Sequence, residues 1–163
     1  MYNHSVMTGV GGSSFAPSNT LTRGDFMLML CRAFAFDSGS GSNFSDVAAG
    51  TYYYQAILTT KTLGIAQGSS NQFYPTQGIT RQDGAVFLLR ALNVAGVSLQ
   101  AGSTSDLSQF SDVGKVQSYA SSSLATLVRN GILVGDGSAI NPEGIVSRAE
   151  MAVILHRVLQ MTR

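Results

Sequence analysis

The sequence predicts an all-α protein built from repeated helical units. One helix-opening pattern, Thr/Ser-Arg-x-Asp/Glu, occurs three times along the 163 residues. Each copy is followed by a segment that would be apolar on nearly every face of a helix, which is typical of a buried helix. With 44% hydrophobic residues, the chain can form a core shared by a few stacked repeats. These observations favour a repeat-built binding module over an enzyme.

The three copies of the pattern predict three helix starts, with N-caps at Thr22, Thr80 and Ser147. The hydroxyl of such a residue accepts a hydrogen bond from the first turn, and an acid three residues later can accept one from the cap's backbone N–H. Asp25 and Asp83 are shorter than the Glu that usually closes this capping box. We therefore expect Glu150 to close its box best.

The segments after these starts are apolar all round, at residues 26–30, 85–89 and 151–155. We expect these three helices to form a central bundle, because each must be buried on most faces. Two further helices, at about residues 52–63 and 117–130, mix polar with apolar positions and should lie outside, against the bundle. Gly64 and Gly131 suit the left-handed conformation in which many helices end.

A second block, Phe-Ser-Asp-Val, occurs twice, at residues 44–47 and 110–113. Each copy precedes an outer helix, and a short glycine-ended phrase follows that helix, at residues 65–68 and 132–135. Residues 6–9 match this phrase. We therefore expect the chain to begin inside a repeat that has lost most of its first helix.

The domain organisation that follows is one module, residues 1–163, with three unequal repeats. Repeat 1 is truncated and covers residues 1–36, repeat 2 covers 44–95 and repeat 3 covers 110–161. The Ser/Gly-rich stretches between them, residues 37–43 and 101–109, are expected to connect repeats rather than independent domains.

With these motifs the chain resembles the S-layer homology (SLH) family. The family's repeat combines Phe-x-Asp-Val, a Trp-centred helix, Gly-x-x-x-Gly-x-Phe-x-Pro, and Ile-Thr-Arg-Ala-Glu at the next helix start. Repeats 2 and 3 match along their whole length, and repeat 1 matches from about Val6 to Phe36. The resemblance implies pseudo-threefold SLH repeats around a central three-helix bundle, with outer helices and with grooves between neighbouring repeats.

The resemblance also implies a function, the noncovalent anchoring of an exported protein to the cell wall of a bacterium with a Gram-positive type envelope. The family's usual ligand is a secondary wall polysaccharide that bears pyruvate ketals on N-acetylmannosamine. The family's ligand-recognising arginine corresponds to Arg23, Arg81 and Arg148. The other ligand-binding candidates are Tyr52, Tyr119, Asp46, Asp112, Gly68 and Gly135.

The chemistry of the three arginines is reasonable on its own terms. A guanidinium at a helix start offers a fixed fork of donors to a carboxylate, and the helix dipole and free N–H groups of the first turn would add to an anion site. Without a ligand, a cation at this end opposes the dipole. The alternative is that each arginine pairs with a carboxylate of an adjoining repeat.

Each remaining candidate also has a structural interpretation. Tyr52 and Tyr119 stand where the family often has Trp, and the chain has no Trp; they could stack on a sugar or pack in the core. Asp46 and Asp112 could hold local turns or contact the ligand. The glycines would allow tight backbone geometry. We interpret Arg32, Arg90 and Arg157, near the opposite face of each helix, as structural.

The composition excludes several classes of function. Charged residues make up 12% of the chain and the net charge is +1, so we expect no nucleic-acid partner. No segment approaches the length of a membrane span, and residues 1–12 do not resemble a signal peptide. Cys31 is the single cysteine, so no internal disulfide can form, and its apolar surroundings predict a buried thiol.

We expect no catalytic residue, cofactor or metal. His4 and His156 lack a nearby nucleophile or a metal-ligand spacing. A loop starting at Asp136 resembles a calcium-binding loop in composition. However, Ile140 and Ser147 occupy positions where such a loop requires ligands.

The alternative function is a protein–protein assembly module of a surface layer that does not bind glycan. The truncated first repeat would leave apolar surface of the central bundle uncovered. Self-assembly, or a missing segment that completes repeat 1, would then cover it.

Overall fold

The computed structural model describes residues 6–7 and 14–162. The chain divides into two compact units, residues 1–79 with 147–149 and residues 80–146 with 150–163. The helices are α1 (Arg23–Phe34), α2 (Tyr54–Thr62), α3 (Arg81–Val94), α4 (Ser118–Arg129) and α5 (Arg148–Met161), with short 3-10 turns at Thr104–Leu107 and Val113–Lys115. Strand pairing within the described ranges is limited to isolated bridges. The all-α prediction is confirmed, while the pseudo-threefold arrangement around one bundle stays a prediction.

The helix starts lie where the capping pattern predicts them. At α1 both bonds of the capping box are present, from the Asp25 N–H to Thr22 Oγ1 at 3.1 Å and from the Thr22 N–H to Asp25 Oδ2 at 3.2 Å. At α3 the Asp83 N–H donates to Thr80 Oγ1 at 3.2 Å. Helix α5 begins at Arg148, directly after Ser147. That Glu150 closes the best box stays a prediction.

In the first unit, α2 packs against α1. The Cys31 thiol of α1 lies 3.6 Å from the Ala56 carbonyl oxygen of α2 and is 8% exposed. The predicted burial of this cysteine is therefore confirmed. Burial also raises the pKa of the thiol to about 11. Helix α2 is followed by Gly64 at φ +76°, the left-handed end expected there.

In the second unit, α4 packs against α3 and also holds the connector that precedes it. The Gly102 N–H donates to Thr126 of α4, the Gln100 N–H donates to Asn130 directly after α4, and Arg129 lies 3.6 Å from Asp106. The Ser/Gly-rich stretch at 101–109 is therefore an ordered connection with its own 3-10 turn. Its glycine is required, because a Cβ at Gly102 would lie 2.2 Å from the backbone of Ala125.

The apolar positions of α1, α3 and α5 supply much of the core. Fully buried side chains include Met27, Leu30, Leu92 and Leu155. None of the helices in the described ranges has both the length and the apolar character needed to cross a membrane.

Candidate functional site

Arg23 opens α1 and is bound to the loop at residues 73–77 of its own unit. Its backbone N–H donates to the Gln77 carbonyl at 2.8 Å, and the Gly24 N–H donates to the Pro75 carbonyl at 2.9 Å. The side chain donates from Nε to the Phe73 carbonyl at 2.9 Å, and the guanidinium carbon lies 4.8 Å from the centre of the Phe73 ring. Backbone and side chain thus bind the same loop.

Arg81 opens α3 and makes the corresponding contacts in the second unit. Its backbone N–H donates to Gly144 at 2.8 Å, and its Nη1 donates to the Ile140 carbonyl at 3.2 Å. Its Nη2 also lies 2.6 Å from Glu150 Oε1 in an ion pair, with the Arg81 side chain 16% exposed. Glu150 belongs to repeat 3, so Arg81 pairs with an acid of the adjoining repeat, which is the alternative considered for the arginines.

Arg148 opens α5 and repeats the arrangement a third time, within the first unit. Its N–H donates to the Asn19 carbonyl at 2.8 Å, and its Nε donates to the Phe15 carbonyl at 2.9 Å. The guanidinium carbon lies 5.0 Å from the centre of the Phe15 ring, and the residue is only 8% exposed. An arginine at a helix start is therefore bound to a backbone carbonyl in all three copies.

These contacts correct one expectation about the helix starts. In α1 the first two N–H groups bond to loop carbonyls and the third bonds to Thr22, and α3 repeats this with Gly144, Pro142 and Thr80. The expectation that free first-turn N–H groups would form an anion site is wrong at these helices. The loop carbonyls take the place of an anion and relieve the mismatch between the arginine and the helix dipole.

Tyr52 and Tyr119 lie on the surface beside the motif's acids. The two side chains are 66% and 59% exposed, which excludes the core-packing interpretation. The Tyr52 hydroxyl donates to Asp25 Oδ1 at 2.5 Å, and the Tyr119 hydroxyl donates to Asp83 Oδ1. Partial burial of the Tyr52 hydroxyl, and then its bond to the Asp25 carboxylate and the charge of that group, raise its pKa to about 12. The Tyr52 hydroxyl therefore stays protonated, and its exposed ring contacts that of Tyr53 at 4.9 Å between ring centres.

Asp46 and Asp112 hold the loops that the arginines bind. The Asp46 carboxylate accepts the N–H groups of Phe73 and Tyr74 at 2.9 and 2.7 Å. Asp112 accepts those of Ile140 and Asn141 at 2.9 and 2.8 Å. Because both oxygens of each carboxylate bind backbone, this geometry supports the local-turn interpretation. In each unit, then, an aspartate fixes the peptide whose carbonyl receives an arginine.

Gly68 and Gly135 lie where the backbone approaches closely. A Cβ at Gly68 would lie 2.2 Å from the Gln72 carbonyl oxygen, and one at Gly135 would lie 2.6 Å from that of Ala139. Gly135 also has φ +75°. Each Cβ would meet the ring of the block's phenylalanine, Phe44 or Phe110, within 2.9 Å. The expected tight geometry is present at both glycines.

Sequence reasoning missed the residues that receive the arginine side chains. Phe15, Phe73 and Ile140 each lie two residues before a proline and supply the accepting carbonyl. The signal was present, because an apolar residue recurs at this offset in every copy, but nothing in the pattern indicated a contact with arginine.

The remaining candidates lie outside this arrangement. Arg157 donates from Nη1 to the Ile132 carbonyl at 3.1 Å, in keeping with a structural role, and partial burial lowers the pKa of Arg90. The Asp136 carboxylate accepts the Ala139 N–H and the Ser138 N–H, which lower its pKa and make it part of a turn. The described residues contain no group of three or more His, Cys, Asp or Glu side chains able to hold a metal. His4 lies outside the described residues.

Comparison with known proteins identifies the repeats. The sequence profile of the S-layer homology domain matches residues 1–27, 43–83 and 109–152. A 125 kDa surface-layer protein of Lysinibacillus sphaericus is 30% identical over 160 residues, which make up 95% of this chain and 13% of that protein. An exoglucanase of Acetivibrio thermocellus is 28% identical over 159 residues, and an amylopullulanase of Thermoanaerobacterium thermosulfurigenes is 27% identical over 157.

In these relatives the likeness is confined to a small segment. The aligned residues cover 95% of this chain in each case, but only 14% of the exoglucanase and 8% of the amylopullulanase. The segment shared by a surface-layer protein, an exoglucanase and an amylopullulanase is thus the repeat module. Since the three profile matches together span more than half of the sequence, the chain belongs to the S-layer homology domain family.

Proposed function

We propose that this chain anchors an exported protein to the bacterial cell wall by binding a secondary wall polysaccharide, with pyruvylated N-acetylmannosamine as the recognised unit. Its place in the S-layer homology family supports the anchoring role. The same segment accompanies different enzymes in the relatives, as a transferable anchor would. The role is one of binding, outside the cell and at the wall, rather than catalysis.

The observation that carries the proposal is the cluster of Tyr119, Asp83, Arg81 and Glu150 in the second unit. An exposed aromatic ring offers the face on which sugars stack, and the hydroxyl and carboxylate beside it can exchange hydrogen bonds with sugar hydroxyls. Tyr52 and Asp25 form the same pair in the first unit. The tyrosine–carboxylate pair thus occurs twice at the surface. It buries little apolar area, so packing alone does not explain it, and a ligand is favoured.

Arg81 is the arginine best suited to a pyruvate carboxylate. Its hydrogen bonds are made by Nη1 and Nη2, so within the described part of the chain its Nε–H has no acceptor. Arg23 and Arg148 both use Nε to bind a backbone carbonyl. A ligand carboxylate can therefore accept from the Nε edge of Arg81 while the Ile140 and Glu150 contacts persist.

The test is a pull-down of the protein with purified wall polysaccharide, before and after chemical removal of pyruvate. We expect depyruvylation and Arg81→Ala each to weaken binding at least tenfold, about the cost of one charge-assisted contact. Arg129→Ala is the matched control, since Arg129 is 45% exposed in its side chain and only weakly paired. Circular dichroism confirms that each variant is folded.

Three results separate the parts of the proposal. Binding that survives both depyruvylation and Arg81→Ala would exclude carboxylate recognition. Loss on Tyr119→Ala alone would leave a neutral sugar as the recognised unit. If the protein bound no wall polysaccharide, the alternative function as a protein–protein assembly module would remain, and the exposed residues of α5 favour that function.

A further inference from the structure

The start of helix α4 is capped by a residue of another helix. In the described part of the chain, its N-cap residue Gln117 makes no side-chain hydrogen bond to the first turn. Ala120 stands at the third helical position, where a Glu or Gln would close a capping box. The backbone N–H of Gln117 instead donates to Oε1 of Gln82, on α3, at 3.0 Å. Gln82 therefore supplies the acceptor that a Glu at position 120 would supply.

This hydrogen bond lies in a buried part of the second unit. Gln82 is only 5% exposed, although glutamine is mostly found at protein surfaces. Burial of an amide is costly unless its polar atoms are bonded, and the Gln117 N–H bonds its carbonyl oxygen. The next residue of α3, Asp83, accepts the hydroxyl of Tyr119. Two consecutive residues of α3 thus hold the first turn of α4 at two points.

The first unit fills the corresponding contact in another way. Gln82 corresponds to Gly24, where a Cβ would lie 2.9 Å from the ring of Tyr53. The ring therefore occupies the space that a side chain at position 24 would need. In the second unit the residue that corresponds to Tyr53 is Ala120. The large and the small residue are thus exchanged between the two helices, and the small Ala120 leaves room for the Gln82 side chain.

The starts of the two outer helices differ in the same way. Helix α4 begins at Ser118, one residue before Tyr119, which therefore lies in a regular first turn. Helix α2 begins at Tyr54, two residues after Tyr52. This difference is larger than the one or two residues by which the assigned ends of a helix vary. The tyrosine is helical in the unit in which a glutamine caps the outer helix.

We propose that Gln82 is a positioning residue of the sugar-binding site in the second unit. Its carbonyl oxygen fixes the first turn of α4, and that turn holds the Tyr119 ring beside Asp83 before a sugar binds. A ring that is already ordered loses little conformational freedom on binding, so the affinity is higher. The capping role depends only on the contacts described here, whereas its effect on sugar binding rests on the proposed function.

Gln82→Met tests the acceptor, because methionine is as long as glutamine but its sulfur accepts hydrogen bonds only weakly. Hydrogen exchange, followed by NMR at each amide, measures the opening of the first turn of α4. We expect exchange at Ala120 to become about fivefold faster, which corresponds to the loss of one net hydrogen bond. Since helix ends are marginally stable, the affinity for purified wall polysaccharide should fall about two- to threefold. Gln160→Met, at an exposed glutamine of α5, is the matched control and should change neither quantity.

Two further variants separate the hydrogen bond from packing. Gln82→Glu keeps an acceptor oxygen at the same distance along the side chain, so its exchange should be slower than that of Gln82→Met. Gln117→Asp, added to Gln82→Met, gives α4 a side-chain N-cap at an exposed position. The double variant should regain both the slow exchange and the affinity for polysaccharide. A loss that came from packing of the Gln82 side chain would not be restored by this cap.

Unchanged exchange in Gln82→Met would overturn the proposal, as would a double variant that exchanges as fast as Gln82→Met. Faster exchange with an undiminished affinity for polysaccharide would also overturn it, because the turn would then not position a sugar contact. If the wild type bound no polysaccharide, the positioning role would be lost together with the proposed function. The exchange of the variants, which needs no polysaccharide, would still decide whether Gln82 caps α4.

Discussion

The arginine of the first unit, Arg23, and that of the second, Arg81, make the same contact with different atoms. Arg23 lies over the Phe73 ring and reaches the Phe73 carbonyl through Nε. Arg81 meets Ile140 instead of a ring and reaches that carbonyl through Nη1. Arg148, which also meets a phenylalanine, follows the first pattern.

The difference between Arg23 and Arg81 indicates that the residue two positions before the proline determines the orientation of the guanidinium. An aromatic ring attracts the guanidinium to its face, which brings Nε to the carbonyl. With an aliphatic residue there is no such attraction, and a terminal nitrogen rather than Nε reaches the carbonyl. Two arginines of one repeated motif can therefore differ in the donors that they leave for a ligand.

The largest effect is expected from Phe73→Ala, which would remove the ring over which Arg23 lies. Phe73 is fully buried and stacks on Phe44 at 5.3 Å between ring centres. We expect a loss of about 3–5 kcal/mol in the free energy of unfolding, measured by urea denaturation. Tyr74→Ala next to it, at a side chain that is 40% exposed, should cost within about 0.5 kcal/mol. Equal losses in the two variants would contradict this account of the loop.

A double-mutant cycle sharpens the same contrast. Arg23→Ala and Phe73→Ala should couple by about 1 kcal/mol, because each removes the cation–π contact, whereas the Phe73 carbonyl remains in the second variant. Arg81→Ala and Ile140→Val should couple less, since the Arg81 contact depends on the backbone of Ile140 and not on its side chain. A larger coupling in the second pair would show that the aliphatic side chain also orients the arginine.

The aspartates of the repeated block should be equivalent in the two units, unlike the arginines. Asp46→Ala and Asp112→Ala each leave two backbone N–H groups without their acceptor. We expect each to lower the unfolding free energy by about 1–3 kcal/mol, and the two losses to agree within about 0.5 kcal/mol. A neutral result in either unit would mean that water replaces the carboxylate there.

The helix starts and the all-α class could be predicted because they depend on local chemistry. Thr22 and Asp25 lie three residues apart, and a capping box needs nothing from the rest of the chain. The exposure of Tyr52 and Tyr119 could not be predicted, because a tyrosine fits equally well in a core or at a surface. Only the fold brings each hydroxyl to an acid 27 or 36 residues away in sequence.

The arginine partners could not be predicted for the same reason. Arg148 reaches Phe15 across 133 residues of sequence, and no local pattern encodes such a contact. The resemblance to a family pointed to these arginines as candidates, but it did not indicate which nitrogen of each guanidinium binds the loop carbonyl. The nitrogen that is used depends on whether the residue that supplies the carbonyl is aromatic, as Phe73 is, or aliphatic, as Ile140 is. That residue meets the arginine only in the folded loop.

The ion pair between Arg81 and Glu150 should contribute little to stability. Glu150→Ala removes it, but the Glu150 side chain is 40% exposed, so solvent screens the pair. We expect a loss of about 0.5–1 kcal/mol by urea denaturation, decreasing as salt is added. Arg129→Ala, whose guanidinium lies 3.6 Å from Asp106 and is 45% exposed, is the control and should cost less. A loss near 3 kcal/mol would mean that Glu150, rather than the Ile140 carbonyl, holds Arg81 in place.

The smallest effect concerns the tyrosine–acid pair and its dependence on pH. The pKa of Tyr52 is raised to about 12, above the value near 10 of an unfolded chain. Between these two pH values the unfolded state binds fewer protons than the folded state, so stability falls as pH rises through that range and is fully present below it. Ultraviolet difference titration of the wild type against Tyr52→Phe should show one tyrosine that ionises near pH 12. In Asp25→Asn that step should move to lower pH, because the carboxylate charge is gone, although the burial of the hydroxyl remains. If the step stayed in place, burial alone would account for it, and the Tyr52–Asp25 bond could not be what keeps the hydroxyl protonated.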